Sequence, residues 1–111
     1  MLKLIGVLPV VLLLVACGQS EAEKARSAAA MTEIRYQRVA REFVTGVLKD
    51  PSSAEFRNQR GFCGEVNSKN SFGGYVGFKR FIAATKDMVV FEKDGRLTPS
   101  EFEQAWARHC N

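Results

Sequence analysis

The chain has 111 residues and carries 16 lysine and arginine side chains against 12 aspartate and glutamate side chains, a net charge of +4. This length supports one small domain and is too short for two. The basic excess is mild and its charges are interspersed rather than clustered, which argues against a nucleic-acid-binding protein.

The first stretch of the chain is strongly apolar. One lysine, Lys3, precedes an unbroken apolar run from Leu4 to Ala16, and the run ends just before Cys17. A membrane-spanning helix needs about 20 apolar residues, so this run is too short, and Pro9 lies within it. The arrangement is typical of a secretory signal with a lipidation site.

The tetrapeptide Leu14-Val15-Ala16-Cys17 resembles the lipobox of bacterial lipoproteins. The resemblance implies that residues 1–16 are a cleaved signal peptide and that Cys17 is acylated and becomes the new N-terminus. Gly18 is not the aspartate that favours retention in the inner membrane. The resemblance therefore predicts a protein held in the outer membrane by its N-terminal lipid and facing the periplasm, with a plain secretory signal as the alternative.

Two further cysteines, Cys63 and Cys110, remain after Cys17 is assigned to the lipid. An even pair in an oxidising compartment predicts a disulfide. Closing a loop of this length stabilises a protein by about 4 kcal/mol on the chain-entropy model. Two alternatives stay open, a metal site that adds His109 to the two cysteines and a nucleophilic thiol at Cys63 with His109 as its base.

Residues 17–30 are polar and alanine-rich and are interpreted as the lipidated cysteine and a tether, whereas residues 31–111 are interpreted as a single small globular domain. Ser20 and Glu23 have the spacing of a capping box, so the tether has some helical character. A helix is predicted from Thr32 to Lys49, where Asp50-Pro51 ends it. Its apolar stripe consists of Tyr36, Val39, Ala40, Phe43, Val44, Val47 and Leu48.

Short apolar runs separated by turn residues follow this helix and predict an antiparallel meander of four strands. The expected strands are Ala54 to Asn58, Phe62 to Asn67, Tyr75 to Ala83 and Met88 to Glu92. A final helix is predicted from Pro99 to His109, with its aromatic side chains packed on the sheet. The predicted fold class is therefore α+β, with a long N-terminal helix, a sheet of about four antiparallel strands and a C-terminal helix tied down by the disulfide.

The segment DGRLTPSEF before and within the last helix resembles the second half of a calcium-binding EF-hand loop, with Asp94 and Glu101 as ligands. Val90 stands where the first ligand of such a loop would be. A structural interpretation explains the same residues, because Asp94-Gly95 makes a turn and Thr98 and Glu101 form a capping box. No metal is therefore predicted.

The segments LKDPSSAEFRN and CGEVNSKNSFGGYVGFKRF resemble sequences shared by a family of small bacterial proteins. Members of that family are described as hypothetical proteins or lipoproteins and are also found in prophage-like regions. The resemblance covers Val47 to Ile82. It implies no activity, and no catalytic residues are transferred from it.

A polar loop bordered by an aromatic side chain lies inside this segment, and loops carried on a rigid sheet often hold functional residues. The predicted partner-binding residues are Asn67, Lys69, Asn70, Ser71 and Tyr75. The glycines of this segment are interpreted as turn and bulge residues, because a phosphate-binding loop needs its glycines to open a helix after a strand.

Enzyme signatures are sparse, since the chain has one histidine and no nucleophile-elbow motif. Glu55 and Glu65 lie on predicted strands, where solvated positions are the default. The expected function is that of a membrane-anchored interaction module, without a cofactor, that binds an envelope protein or a cell-wall fragment. The alternative is a small hydrolase or hydrolase inhibitor acting on envelope polymers.

Overall fold

The computed structural model describes Gly6, Gly18 and residues 20–111 of the chain. The described part consists of helix α1 (Glu21–Thr45), a 3-10 turn (Pro51–Ser53), strands β1 (Glu55–Arg60), β2 (Cys63–Asn67), β3 (Lys79–Thr85) and β4 (Met88–Phe91), and helix α2 (Pro99–His109). The predicted α+β fold, with a helix, an antiparallel sheet of four strands and a C-terminal helix, is confirmed. The predicted signal peptide, apart from Gly6, and the predicted lipidation site Cys17 lie outside the described residues.

Helix α1 begins earlier and ends earlier than predicted. Ser20 is its N-cap, and the Ser20 hydroxyl accepts a hydrogen bond from the N–H of Glu23 while the Glu23 carboxylate accepts one from Ser20. Because of this capping box and the alanine-rich sequence that follows, the residues of the predicted tether are helical from Glu21 onwards. The helix stops at Thr45 because Gly46 caps it, four residues before the predicted end at Lys49.

The four strands pair antiparallel in chain order, as the predicted meander requires. The third strand was predicted too long, because residues 75–78 form irregular backbone and an isolated bridge between Lys69 and Tyr75. In the pairing of β1 with β2, Arg57 lies opposite Glu65 and the register then shifts before Arg60. Asn58 has a φ of 52° in this irregular stretch, which is a left-handed conformation that asparagine tolerates.

The two helices pack on opposite faces of the sheet, since successive strand residues alternate between the faces. The α1 face is built from Ala40, Val44, Val66, Phe81, Ala83 and Val89, all buried. The α2 face is built from Cys63, Ile82, Phe102 and Cys110, also buried. The core is therefore divided into two small apolar layers, one on each side of the sheet.

Helix α2 has the predicted bounds and the predicted capping box. The Thr98 hydroxyl accepts a hydrogen bond from the Glu101 N–H at 3.2 Å, and the Glu101 carboxylate accepts one from the Thr98 N–H at 3.1 Å. A disulfide joins Cys63 on β2 to Cys110 at the end of α2, with a Cα–Cα distance of 5.7 Å. Phe102 is buried together with Cys63 and Ile82 of the sheet, and Trp106 packs against the same cluster, so the expected packing of this helix on the sheet is present.

Candidate binding surface

The loop between β2 and β3 contains four of the five predicted partner-binding residues, and Asn67 is the last residue of β2 at its base. We call residues 68–78 the distal loop. It starts at the end of β2 that lies away from the β1–β2 turn. Each predicted side chain has a definite place in the loop, and several of them hold it together.

Asn70 builds the tip of the distal loop. Its side-chain oxygen accepts hydrogen bonds from the N–H groups of Phe72, at 2.9 Å, and Gly74, at 3.2 Å. Its main-chain N–H donates to the Gly74 carbonyl at 2.9 Å, and its carbonyl accepts from the Gly73 N–H at 3.1 Å. Gly73 has a φ of 80°, a conformation that strains other residues. The Asn70 side chain is thus a turn-forming group with its acceptor occupied.

The base of the distal loop is tied to the sheet and to the 3-10 turn. The Asn67 side-chain oxygen accepts a hydrogen bond from the Gly77 N–H at 3.0 Å. The Lys69 N–H donates to the Ser53 hydroxyl at 2.8 Å, and the Tyr75 hydroxyl donates to the Ser53 carbonyl at 3.1 Å. Asn67 and Tyr75 therefore hold the loop in place.

Partial desolvation, followed by the negative charge of Glu55, raises the pKa of the Tyr75 phenol, which favours the protonated form that donates to Ser53. The ammonium of Lys69 lies 5.6 Å from the centre of the Tyr75 ring, within cation–π range. Asn70, Ser71 and Tyr75 are exposed and Lys69 is half-buried. Asn67, Asn70 and Tyr75 also shape the loop through their hydrogen bonds.

The most exposed large apolar residue of the loop, Phe72, was missed by the sequence reasoning. Phe72 is 97% exposed, and Val76 in the same loop is 49% exposed. The sequence does indicate that Phe72 is exposed. It lies between Ser71 and a pair of glycines, where no strand or helix is available to bury an apolar side chain. The hydrogen bonds of Asn70 hold the backbone that carries this ring.

The distal loop lies at the end of the sheet opposite the entry of α1. Helix α1 first meets the sheet at the β1–β2 turn, where Glu33 accepts a hydrogen bond from Gly61 and the rings of Tyr36 and Phe62 are 4.8 Å apart. Strand β2 then leads away from that turn to Asn67, at the base of the loop. The side chains of residues 21–32 of α1 are exposed throughout.

A second cluster of charged side chains lies on the α2 face of the sheet. Arg80 donates hydrogen bonds to the carboxylates of Glu92 and Glu103 and forms an ion pair with each of them. The hydrogen bond and charge of Arg80 lower the pKa of Glu103. Arg80 thereby joins β3 and the residue after β4 to α2, and its guanidinium is occupied by these carboxylates.

Glu55 and Glu65, the strand carboxylates considered for acid–base work, do not face each other. Glu55 pairs across the sheet with Asn67, whereas Glu65 pairs with Arg57 and accepts hydrogen bonds from Asn58 and from Arg57. The Asn58 hydrogen bond, and then Arg57, lower the pKa of Glu65. The guanidinium of Arg57 also lies 3.7 Å above the ring of Phe78. The arrangement is an ion pair on a strand pair rather than a two-carboxylate centre.

The disulfide uses both thiols of the alternative metal and nucleophile sites. Cys63 and Cys110 are 1% and 5% exposed. A thiol bonded to another sulfur is neither a zinc ligand nor a nucleophile. Within the described residues, no group of three His, Cys, Asp or Glu side chains is arranged to hold a metal ion.

Asp94 and Glu101, the two residues of the EF-hand resemblance, serve the chain's own backbone. The Asp94 carboxylate accepts hydrogen bonds from the N–H groups of Phe91 and Arg96, at 3.2 and 2.9 Å. Glu101 completes the capping box of α2, and the Thr98 backbone hydrogen bond lowers its pKa. The turn-and-cap interpretation of this segment is confirmed.

None of the helices formed by the described residues is long and apolar enough to cross a membrane. Comparison of the chain with family models, with curated proteins and with solved structures found no match.

Proposed function

We propose that the chain is a lipid-anchored protein of the bacterial outer membrane whose domain binds another envelope protein on the periplasmic side. The lipobox-like text ending at Cys17 supports the anchor. The single observation that carries the binding function is the fully exposed ring of Phe72 on a loop whose backbone is held by hydrogen bonds.

The arrangement of α1 suits an anchored domain of this kind. Twelve helical residues precede Glu33, the first residue of α1 that contacts the β1–β2 turn, and at 1.5 Å per residue they extend about 18 Å. An N-terminal lipid would attach near the far end of this exposed segment. The distal loop, at the opposite end of the sheet, would then point away from the membrane that holds Cys17.

The chemistry of the loop favours a protein partner over a cell-wall fragment. Phe72 carries no side-chain hydrogen-bonding group, and Val76 is a second exposed apolar side chain of the same loop. An aromatic side chain that enters an apolar pocket of a partner is a frequent source of binding energy in protein complexes. A loop already held in one conformation loses less entropy on binding, which strengthens the complex.

Site-specific photocrosslinking in intact cells tests this proposal. A photoreactive residue at Ser71, beside Phe72, is compared with one at Lys86, in the β3–β4 turn at the other end of the sheet. We expect one dominant protein adduct from position 71 that is absent from position 86 and is lost when Phe72→Ala is added. Identical adducts from both positions, or none from position 71, would contradict the proposal.

A second candidate function is inhibition of an envelope hydrolase. It is favoured by the same protruding loop, because an exposed aromatic on a pre-organised turn suits insertion into an enzyme cleft. Assays of envelope hydrolases with added wild-type protein and with the Phe72→Ala variant test it. Inhibition by the wild type alone would favour the inhibitor function, whereas substrate turnover by the purified protein would favour a hydrolase.

A further inference from the structure

Strand β4 is the last strand of the sheet, and in the described part of the chain no further strand lies beside its outer edge. An open strand edge presents main-chain N–H and C=O groups that pair readily with another strand. A groove of about 430 Å³ lies along this edge. Its lining includes Val89 and Phe91 of β4, Lys86 and Asp87 before the strand, and Asp94 and Arg96 after it.

The pairing of β4 with β3 shows which main-chain groups face the open edge. The register of this pairing is regular along the first half of β3. The Glu92 N–H donates a hydrogen bond to the Arg80 carbonyl at 3.0 Å. Because antiparallel partners alternate, Val90 also bonds to β3, whereas Val89 and Phe91 do not. The N–H and C=O groups of Val89 and Phe91 therefore point away from β3, towards the open edge.

Side chains from the loop after β4 already occupy two of these four groups. The Asp94 carboxylate accepts a hydrogen bond from the Phe91 N–H at 3.2 Å, and the Arg96 guanidinium donates one to the Val89 carbonyl at 3.1 Å. A carboxylate and a guanidinium thus take the positions that a C=O and an N–H of a neighbouring strand would take. We call Asp94 and Arg96 the edge shield.

The backbone after β4 is bent in a way that holds the edge shield. Lys93 has a φ of 63°, a left-handed conformation that strains a lysine. The Asp94 carboxylate also accepts a hydrogen bond from the Arg96 N–H at 2.9 Å, which joins the two shielding residues. Strained conformations persist where the surrounding contacts hold them. The carboxylate that covers the Phe91 N–H is therefore also the group that holds this turn.

The opposite edge of the sheet, formed by β1, is protected by a different device. The register of β1 shifts between Arg57 and Arg60, and charged side chains occur along the strand. Bulges and charges are common protection for strand edges. Strand β4 consists of the four apolar residues Met88–Phe91, so its protection comes from residues outside the strand.

The outward groups of β4 are complementary to those of a second copy of the chain. In an antiparallel pair of β4 strands with the two Val90 residues opposite each other, Val89 of one copy lies opposite Phe91 of the other. All the outward N–H and C=O groups of both residues would then be paired. Such an interface is two-fold symmetric and uses the same surface on both copies.

We infer that the edge shield keeps two copies of this chain from pairing through β4. The Asp94 carboxylate and the Arg96 guanidinium must leave the main-chain groups before a second strand can bind them, so their hydrogen bonds oppose the pairing. Without the shield, two apolar strands would join two four-stranded sheets into one. This inference does not depend on the proposed function of the distal loop.

Photocrosslinking in intact cells that express the full chain tests this inference. A photoreactive residue replaces Met88, which is 59% exposed at the start of β4 and would lie opposite Glu92 of the second copy. The shield-free variant carries Asp94→Ala and Arg96→Ala. We expect its two-copy adduct to be at least about tenfold more abundant than that of the chain with the shield, the effect of losing one hydrogen bond to a charged group.

Lys86→Ala combined with Asp87→Ala is the matched control. These two residues line the same groove, and their replacement removes one positive and one negative charge, as in the shield-free variant. In the described part of the chain, neither side chain hydrogen-bonds to β4. We expect no increase in the two-copy adduct. An equal increase in both variants, or no increase in the shield-free variant, would overturn the inference.

Arg96→Ala alone keeps the turn at Asp94 and exposes only the Val89 carbonyl, so we expect a smaller increase in the adduct. Non-reducing electrophoresis shows whether each variant forms the Cys63–Cys110 disulfide of the folded domain. If the double variant lacks this disulfide, Arg96→Ala decides the outcome, and no increase would overturn the inference. Mass spectrometry should place the crosslink at or next to β4 of the second copy. Adducts at other positions, or with other proteins only, would also overturn it.

Discussion

The carboxylate of Glu33 accepts a hydrogen bond from the main-chain N–H of Gly61 at 2.7 Å and so joins α1 to the β1–β2 turn. Two neighbouring contacts extend this junction. The side-chain amide of Gln59 donates to the Gln37 carbonyl at 3.1 Å, and Arg41 donates to the side-chain oxygen of Gln59 at 2.7 Å. These polar contacts set the position of the exposed part of α1 relative to the sheet.

The junction makes part of the stability of the domain dependent on pH. The Gly61 hydrogen bond, and then the one from Gln37, lower the pKa of Glu33 from its ordinary value of 4.5. A carboxyl group whose pKa is lower in the folded state stabilises the fold above its unfolded pKa, and this contribution disappears as the pH falls through the folded pKa. Glu65 and Glu103 have pKa values shifted in the same direction.

Glu33→Gln keeps an acceptor for the Gly61 N–H but removes the charge. It should therefore lower the free energy of unfolding at pH 7 by about 1 kcal/mol, the margin by which a hydrogen bond to a charged group exceeds a neutral one. The difference from the wild type should shrink as the pH falls below 4.5 and should disappear once the pH is below the lower pKa of the folded Glu33 carboxyl group. Urea unfolding at neutral and acidic pH measures both values. Glu42→Gln, at an exposed position of the same helix, is the control, and a constant difference at all pH values would refute the role of the charge.

Removal of the Cys63–Cys110 bridge should cost about 4 kcal/mol of stability, as expected for a loop of 47 residues on the chain-entropy model. Urea unfolding of the oxidised and the reduced protein, both carrying Cys17→Ser so that no other thiol is present, measures this difference. A free energy of unfolding that is the same in both forms would show that the bridge does not stabilise the domain.

Phe72→Ala should leave the fold intact. The ring is 97% exposed, and surface substitutions of this kind change the free energy of unfolding by less than about 0.5 kcal/mol. Thermal or urea unfolding of the variant checks this expectation. A loss of more than about 1 kcal/mol would mean that the ring stabilises the domain itself, because losses of that size come from buried or otherwise constrained groups.

Asn70→Ala should open the distal loop to proteases. The Asn70 side-chain oxygen accepts two main-chain hydrogen bonds that hold the turn, and their loss exposes the peptide bond after Phe72. The rate of chymotrypsin cleavage after Phe72, measured by mass spectrometry of the fragments, should rise relative to the wild type. Ser71→Ala is the matched control, and equal cleavage of both variants would show that Asn70 does not hold the loop.

Cys17→Ser should abolish membrane retention of the protein in cells while the domain still forms its disulfide. Fractionation of cells followed by non-reducing electrophoresis measures both properties. Retention of the variant in the membrane fraction would show that the apolar segment from Leu4 to Ala16 holds the protein instead.

Local sequence signals predicted most of the secondary structure. Helix α2 has the bounds expected from Thr98, Pro99 and Glu101, because capping depends on residues three positions apart. The meander followed from short apolar runs between turn residues, and the disulfide from two cysteines left as a pair. Helix α1 was predicted to continue to Lys49, but Gly46 ends it first.

The candidate site was predicted as a region but not in its details. The five polar and aromatic residues at the β2–β3 connection do lie together. Asn67, Asn70 and Tyr75, however, hold the loop through hydrogen bonds to main-chain groups, and these partners cannot be identified from the sequence alone. Phe72 became visible only when its exposure was known. Glu65 faces Arg57 rather than Glu55 because strand register decides which side chains meet.

By itself, the sequence determined the elements of this protein: two capped helices, four strands in chain order and one cysteine pair. These depend on periodicity, caps and turns, which act over a few residues. Only the tertiary structure decided that the distal loop lies opposite the entry of α1 and that Arg80 of β3 pairs with Glu92 and with Glu103 of α2. Those features depend on strand register and helix packing, which bring together residues far apart in the chain.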